Sequence, residues 1–503
     1  MRLRRLMWIT VATMLATVML AACTLPVTLP IAPPVTDTTD TESVPAPAVD
    51  VDATAVTLPG DWDGRISILG QELRIIVHFS EDGDALTGTI DIPQQGAVGI
   101  PLENIAFDAP AIHFEMLPAP STAVFDGTVQ ADGSLAGSFS QSGYEGTFSL
   151  ARIAAEPAAA TEDLPYRVED VTFANGDVTL AGTLTLPEGD GPFPSVLLVS
   201  GSGPQNRDEE IAIVPGYRPF AVIADTLTRQ DVAVLRYDDR GVGESTGDFA
   251  TAALSDFAAD AEAGWAYLTQ RDEIDAAQVG IFGHSEGGQV AAVVAGRNPD
   301  VAFVVLMAGP GERGDKVLND QIRLLMKAGG ATDEEIAKTL ELQELGYAAV
   351  RTDTGWDEVE AGLRKESEDS LSALTAAQKA QLGDIEARID AIVAQKLAAL
   401  KTDWFRQFID YDPAVDLASV DVPVLALYGG RDMQVPAESN AAALAAALAH
   451  NPNVTVQIFP TANHLFQDAN SGMPDEYALL APEFLPGFLD TISEWLITVV
   501  QTR

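Results

Sequence analysis

Val279-Gly-Ile-Phe-Gly-His-Ser-Glu-Gly-Gly288 decides the fold of the larger part of this 503-residue chain. Its apolar start, Val279–Phe282, predicts a buried strand, and the following run, Gln289–Ala295, predicts a helix. Between them, Gly-x-Ser-x-Gly indicates a sharp turn, because only small residues fit beside its crowded backbone. The turn presents the hydroxyl of Ser285 at the helix N-terminus, where the helix dipole favours negative charge. The sequence therefore predicts Ser285 as a nucleophile.

Outward from this turn, strands alternate with helices, which predicts a mostly parallel, doubly wound α/β sheet over residues 166–503. An opening hairpin, Val168–Leu186, comes first. A helical segment, about Glu312–Phe408, separates the fourth and fifth parallel strands; at roughly 100 residues it is too long for a loop, so we interpret it as a cap. The predicted parallel strands are Ser195–Ser200, Val232–Arg236, Val279–Phe282, Ala302–Met307, Val422–Tyr428 and Val454–Phe459.

A serine needs a base to take its proton and an acid to orient that base. His464 follows the last predicted strand directly and is predicted as the base, whereas His450 closes an alanine-rich helix and is expected to interact with the C-terminus of that helix. Asp432, carried out of its strand by Gly429-Gly430, is predicted as the acid. Glu312 and Asp315, which follow the preceding strand, are the alternatives for the acid.

The negative oxygen that develops during attack on a carbonyl needs two backbone N–H donors. We predict these donors to be the N–H groups of Glu286 and of Ser202, the latter in the glycine-rich loop Ser200-Gly-Ser-Gly-Pro204. His284 is expected to point away and pack beneath the turn. Trp404 and Phe405 either line an acyl pocket at the exit of the cap or belong to its core.

Composition narrows the function class. The chain has 29 Lys and Arg against 74 Asp and Glu, a formal charge of −45, which argues against a nucleic-acid partner. One cysteine excludes an internal disulfide framework and any multi-thiolate metal site, and five histidines leave little room for a histidine-rich one. We therefore expect neither a metal nor another cofactor.

The single cysteine, Cys23, lies at the end of an export-type sequence. Three arginines in Met1–Arg5 precede the apolar run Leu6–Leu20, and Leu20-Ala-Ala-Cys23 resembles the bacterial lipoprotein signal, in which the cysteine is lipidated. We expect residues 1–22 to be a signal peptide, residues 23–56 to be a Pro/Thr-rich tether, and the protein to be exported and anchored to the membrane. The alternative is an ordinary signal peptide with an incidental cysteine.

Residues 57–153 predict a small all-β domain, followed by a linker at 154–165. Short strands recur near every ten residues, a spacing typical of an antiparallel sandwich or a small barrel. Phe125-Asp-Gly-Thr-Val, Leu135-Ala-Gly-Ser-Phe and Tyr144-Glu-Gly-Thr-Phe share one pattern. His78 and His113 are expected to be packed or surface residues and not ligands.

Four motifs occur together in this chain: Gly201-Ser-Gly-Pro-Gln-Asn-Arg-Asp208, Tyr237-Asp-Asp-Arg-Gly-Val-Gly-Glu-Ser245, Gly283-His-Ser-Glu-Gly-Gly288 and Trp404-Phe-Arg406. With them, the chain from Tyr166 to Arg503 resembles the α/β-hydrolase superfamily, and more narrowly bacterial serine esterases related to dienelactone hydrolases and to serine aminopeptidases. The resemblance implies the catalytic residues Ser285, Asp432 and His464, and a loop at Asp238-Asp-Arg240 that braces the oxyanion side through an arginine ion pair; the alternative for this loop is contact with the substrate.

Two departures from these relatives matter. Ser200 stands where the oxyanion loop usually opens with histidine. Dienelactone hydrolases proper use a cysteine nucleophile, so that activity is not expected here.

The expected function is a carboxylesterase that cleaves small esters through an acyl-enzyme, with the cap controlling which esters enter. The alternatives are a peptidase or amidase, which would need a site for a peptide terminus, and a non-catalytic binding lipoprotein. The sequence carries no signal of oligomeric state.

Overall fold

The computed structural model describes residues 57–502, except 69–70, 83–84, 93–96, 117–121, 142–143, 154–163, 212, 215 and 373–384. The predicted signal peptide, the tether that begins at Cys23 and residues 154–163 of the linker lie outside the described residues. The chain forms two compact units, which are described separately. Within the described residues, no helix is both long and apolar enough to cross a membrane.

The first unit contains a closed barrel of eight antiparallel strands, in which each strand pairs with its neighbour in sequence and β1 pairs with β8. Of the two predicted architectures, an antiparallel sandwich and a small barrel, the chain forms the barrel. Its closure leaves no free strand edge. The strands are β1 (Gly60–Ile68), β2 (Gln71–Asp82), β3 (Ala85–Ile92), β4 (Ala97–Asp108), β5 (Ala111–Met116), β6 (Ala123–Val129), β7 (Leu135–Gln141) and β8 (Tyr144–Arg152).

Aromatic side chains fill the barrel. Phe114 and Phe125 stack with ring centroids 4.4 Å apart, and both are fully buried with Trp62. The two histidines of the barrel lie outside this core. His78 binds Asp61 and Asp91, and His113 binds Asp126. Both histidines are partly exposed surface residues paired with carboxylates.

The second unit contains an eight-stranded sheet in the order β16-β15-β14-β13-β11-β12-β10-β9, and the α/β-hydrolase fold is confirmed. An antiparallel hairpin opens the sheet and the other six strands run parallel to one another. The strands are β9 (Tyr166–Asn175), β10 (Val178–Pro187), β11 (Phe193–Val199), β12 (Ala233–Tyr237), β13 (Ile274–His284), β14 (Val304–Met307), β15 (Val424–Gly429) and β16 (Val454–Phe459).

Helices cover both faces of this sheet, as near-continuous apolar strands require. Along β11, Leu197 and Val199 pack into one core, whereas Val196 and Leu198 pack into the other. All helices of the described residues, the predicted cap helices included, are α1 (Pro219–Thr228), α2 (Leu254–Thr269), α3 (Glu286–Arg297), α4 (Gly314–Ala328), α5 (Asp333–Thr352), α6 (Trp356–Ser372), α7 (Ile385–Leu400), α8 (Asp403–Asp410), α9 (Pro413–Leu417), α10 (Ala437–Ala447) and α11 (Phe488–Gln501), with a 3₁₀ helix at Pro474–Leu479.

Two elements begin three or more residues before their predicted start. Strand β13 begins at Ile274 and not at Val279, because Asp275 and Gln278 interrupt its first residues and leave no hydrophobic pattern there. Helix α3 begins at Glu286, since Gly287 and Gly288 form its first turn without apolar periodicity.

The site lies where the winding of the sheet reverses. From β11 the chain leads to β12 on one side, and β13 pairs with the other side of β11. In parallel sheets, ligands bind at such a switch point, beyond the carboxyl ends of the strands. The loop that follows β11 and the turn that follows β13 therefore face one crevice, and the predicted cap helices α4–α8 follow β14.

Candidate active site

Ser285 occupies a strained turn between β13 and α3. Its φ is 52° and its ψ is −119°, a conformation that costs a non-glycine residue free energy. The flanking glycines are a steric necessity. A Cβ at Gly283 would lie 1.9 Å from the carbonyl oxygen of Gly287, and a Cβ at Gly287 would lie 2.2 Å from that of Val199. The N–H of Ser285 donates to the carbonyl oxygen of Met307 on β14 at 2.8 Å, which ties the turn to the sheet.

The structure brings Ser285, His464 and Asp432 together. Oγ of Ser285 lies 3.1 Å from Nε2 of His464, and Nδ1 of His464 lies 2.8 Å from Oδ2 of Asp432. All three residues are buried. Because a carboxylate accepts a hydrogen bond from Nδ1–H, the lone pair of Nε2 faces the serine hydroxyl.

The acid and the base are both fixed by main-chain hydrogen bonds. Oδ1 of Asp432 accepts the N–H groups of Gln434 and Val435 at 2.7 and 2.9 Å, which leaves Oδ2 for His464. Beside His464, Oδ1 of Asn463 accepts two backbone N–H groups of its own loop. The geometry of the three side chains is thus set before any substrate binds.

The alternative acids lie in ion pairs of their own. Glu312 pairs with Lys316, and Asp315 pairs with Arg313 and, at 2.7 Å, with Arg351. Asp432 is the carboxylate that reaches the base.

The sequence predicted that His450 interacts with the C-terminus of its own helix, and this prediction is wrong. Nε2 of His450 contacts the carbonyl oxygen of Val420 at 3.2 Å, because the helix ends at Ala447 and the chain has turned by residue 450.

A small pocket lies over Ser285. Both predicted oxyanion donors line it, and helices α4 and α8 form part of its wall, so the predicted cap contributes to the site. The lining residues are Ser202, Ser285, Glu286, Pro310, Val317, Leu318, Gln321, Phe408, Gln434 and Val435.

Glu286 also brings a buried carboxyl group to this pocket. Nε1–H of Trp404 donates to its Oε1 at 2.7 Å, and burial raises the pKa of Glu286 to about 7. Trp404 therefore links the cap to the nucleophile turn. Its neighbour Phe405 packs in the cap core against Tyr347, while Phe408, which no sequence pattern identified, faces the pocket.

The Asp238–Arg240 loop holds the oxyanion loop through two carboxylates. Asp238 forms an ion pair with Arg207 at 2.6 Å. Asp239 accepts hydrogen bonds from Oγ of Ser200 at 3.0 Å and from N–H of Gln205 at 2.9 Å. Burial raises the pKa of Asp239 well above its usual range. The third residue, Arg240, binds Asp260 of α2 instead.

His284 packs beneath the turn and meets Glu209, a residue that no motif identified. Nδ1 of His284 lies 2.7 Å from Oε1 of Glu209, and both side chains are almost fully buried. These residues are 75 positions apart, and neither lies in a periodic pattern that could have predicted the pair.

Within the described ranges, no group of three or more His, Cys, Asp or Glu side chains could hold a metal ion.

Comparison with known proteins gives a family match and several relatives. The family described as serine aminopeptidase, S33, matches residues 213–468. The esterase EstD of Thermotoga maritima is 28% identical over 345 residues, covering 68% of this chain and 72% of that protein.

Solved structures of low identity are also similar. An esterase of Pyrococcus furiosus is 15% identical with a TM-score of 0.41, covering 67% of this chain and 92% of that one. A dienelactone hydrolase of Anabaena variabilis is 18% identical with a TM-score of 0.36, covering 66% of this chain and 98% of that one.

Proposed function

This chain belongs to the serine aminopeptidase S33 family of α/β-hydrolases. We propose that within this family it is a carboxylesterase that cleaves small esters through an acyl-enzyme on Ser285. The 28%-identical relative named as an esterase supports ester over peptide hydrolysis. The observation that carries the proposal is the hydrogen-bonded series of Ser285, His464 and Asp432 at a strained turn.

In the proposed reaction, Oγ of Ser285 attacks the ester carbonyl carbon while Nε2 of His464 takes the hydroxyl proton. Asp432 keeps His464 in the required tautomer and balances the charge of the imidazolium. The carbonyl oxygen becomes negative and accepts the N–H groups of Ser202 and Glu286, which line the pocket beside it. His464 then gives its proton to the departing alcohol, and an acyl-enzyme remains.

Water completes the turnover. His464 takes a proton from a water molecule, whose oxygen attacks the acyl carbon, and the carboxylic acid leaves as Ser285 regains its proton.

The pocket favours short acyl chains. Val317, Leu318 and Phe408 give the pocket an apolar wall. We expect this wall to accept short acyl chains and to leave little room for long ones.

The deciding experiment combines active-site labelling with a substrate panel. A fluorophosphonate probe should label the wild-type protein and leave Ser285→Ala unlabelled, and nitrophenyl esters of short acids should be hydrolysed faster than aminoacyl anilides. Preferential anilide cleavage would indicate the peptidase alternative. Absence of labelling, in protein with native circular dichroism, would indicate the non-catalytic binding lipoprotein.

We also propose that the protein is exported and held to the membrane through a lipid on Cys23. The proposal rests on the amino-terminal sequence, in which an apolar run ends in Leu20-Ala-Ala-Cys23 and a Pro/Thr-rich stretch follows.

A further inference from the structure

Glu209 and His284 lie directly behind the residues of the proposed reaction. Glu209 and His284 have only 1% and 3% of their surface exposed. His284 precedes Ser285 in the chain, and its ring centroid lies 5.0 Å from that of His464. Neither side chain takes part in the proposed proton transfers, so the cost of burying two ionisable groups needs another explanation.

This pair also forms hydrogen bonds with the main chain of the oxyanion loop and of the loop that carries His464. Oε1 of Glu209 accepts the N–H of Gly201 at 2.8 Å, and Gly201 precedes the predicted oxyanion donor Ser202. Nε2 of His284 lies 3.2 Å from the carbonyl oxygen of His464. One pair of side chains thus joins the oxyanion loop, the nucleophile turn and the loop that carries the base.

These contacts determine the protonation of His284. A carbonyl oxygen only accepts, so Nε2 carries a hydrogen; on the other side, Nδ1 meets a carboxylate oxygen that already accepts the N–H of Gly201. With Glu209 as a carboxylate both ring nitrogens are donors, which is the imidazolium form.

The surrounding charges favour that form. Burial opposes the charged form, but the charge and hydrogen bond of Glu209, together with the charge of Asp432, outweigh it and raise the pKa of His284. The charge of Glu209 also acts on Asp239 and Tyr217, neither of which carries a positive charge.

Glu209 is kept in this position at a cost. Its φ is 51°, in the left-handed region, and its Oε2 is buried without a hydrogen-bond partner in the described part of the chain. A buried acceptor left unpaired in a strained residue indicates a constraint imposed by function and not by packing alone.

We propose that Glu209 and His284 form a buried ion pair that positions the base His464 and the oxyanion loop relative to Ser285. This inference rests on the proposed esterase function, because it assigns the pair a role in that reaction. Both are positioning residues, since they act through the main chain of Gly201 and His464 and not on the substrate.

The test uses isosteric variants of the full chain. In Glu209→Gln the carboxylate charge is lost, so the buried imidazole of His284 loses its proton and one of its two hydrogen bonds. We expect kcat to fall on the order of 10²-fold with KM little changed, as for a small misplacement of reacting groups. His284→Asn, whose amide reaches Glu209 but not His464, should give a similar loss.

The double variant and a matched control separate positioning from general damage. If the two residues act as one unit, Glu209→Gln/His284→Asn should lose about as much activity as either single variant. Glu244→Gln removes another carboxylate beside the oxyanion loop, one that is exposed and pairs with Arg207, and should retain wild-type kcat.

A spectroscopic readout tests the pair independently of turnover. In ¹⁵N-histidine spectra the resonance that disappears in His284→Asn belongs to His284; it should report an imidazolium in the wild type at pH 7.5 and a neutral ring in Glu209→Gln. The resonance of His464 should shift in the same variant.

A neutral His284 in the wild type, or an unchanged kcat in Glu209→Gln, would overturn the inference. An inactive, unlabelled wild type would defeat the esterase proposal instead, while the spectra would still decide whether the pair holds His464.

Discussion

The hydrogen bonds of Asp432 direct one of its two carboxylate oxygens to His464. Two backbone N–H groups occupy Oδ1, so Oδ2 is the oxygen that meets Nδ1 of His464. The alternative acids, Glu312 and Asp315, are committed to lysine and arginine partners. At the scale of the residue, the orientation of the base depends on one oxygen atom.

Asp432→Asn should fold normally and lose most of its turnover. An amide that accepts the two backbone N–H groups at Oδ1 presents an NH₂ to His464 and stabilises the wrong tautomer. The same substitution of the triad aspartate in serine proteases lowers kcat by about 10⁴, and we expect a similar order here with KM little changed. The measurement is kcat on one short-chain nitrophenyl ester.

Glu312→Gln and Asp315→Asn are the matched controls for this variant. Each removes a buried carboxylate near the start of the cap, and each should stay within roughly tenfold of wild type. A near-normal Asp432→Asn beside a crippled Glu312 or Asp315 variant would move the acid to the earlier strand.

The side chain of Glu286 should make the activity depend on pH. Its pKa is raised to about 7 by burial, so its side chain is neutral below pH 7 and negative above. A negative charge beside the developing oxyanion opposes its formation, by on the order of 1–3 kcal/mol. The ratio of kcat for Glu286→Gln to kcat for wild type should therefore rise by about tenfold from pH 6 to pH 8.5. A ratio that is constant across this range would contradict the effect.

The same group predicts a pH-dependent difference in stability. Because the pKa of Glu286 is raised in the folded state, its contribution is fully present below the unfolded value, near 4.5, and is lost as the pH rises through about 7. Glu286→Gln, which keeps an acceptor for Trp404, avoids this loss. Its free energy of unfolding relative to wild type should therefore increase from pH 5 to pH 8.5, by at most about 3 kcal/mol. Thermal melts of both proteins at the two pH values measure it.

At the level of secondary structure, the site depends on how the strands, the turn that carries Ser285 and the cap helices pack against one another. The strained turn at Ser285 persists because β14 holds its N–H and because glycines let α3 approach β11 within van der Waals distance. The cap contributes α4 and α8, whose apolar side chains close the pocket. The sheet thus supplies the proposed chemistry, and the cap helices supply the shape that a substrate meets.

Phe408→Leu should widen the range of acyl chains. Phe408 of α8 lines the pocket, and a leucine there frees space for about one methylene, worth about 0.8 kcal/mol when buried. The ratio of kcat/KM for an octanoyl ester to that for an acetyl ester should rise about fourfold. Phe405→Leu on the same helix, which loses similar volume in the cap core, should leave this ratio unchanged. Equal ratios in all three proteins would show that α8 does not set chain length.

At the scale of the whole molecule, charge and the amino-terminal sequence determine where the proposed enzyme would work. A formal charge of −45 keeps the protein away from polyanions. One acyl chain binds membranes marginally, whereas two or more anchor a protein stably. The proposed lipid on Cys23 would therefore hold the two folded units at a membrane through a tether.

Cys23→Ser should release the protein from the membrane. With no thiol to accept a lipid, the variant is expected in the soluble fraction after cell fractionation, with ester hydrolysis per molecule close to wild type. A variant that stays in the membrane fraction beside an unlipidated wild type would contradict the anchor.

Local sequence patterns were enough to predict the features that depend on neighbouring residues, such as strands and tight turns. Apolar runs identified the parallel strands, and Gly283-His-Ser-Glu-Gly287 identified the turn, because steric crowding there leaves few other residues possible. Loop positions after successive strands named His464 and Asp432, which the structure places beside Ser285.

Only the tertiary structure decided the contacts that join distant segments. Closure of the barrel depends on β1 meeting β8, and the pairing of His284 with Glu209 and with the carbonyl of His464 spans 75 and 180 positions. Hydrophobic periodicity records which face of an element is buried, not which buried polar group it will meet there. A hydrogen-bonded pair in the interior requires a partner at about 3 Å, and that distance is set only when the whole sheet, its loops and its helices have packed.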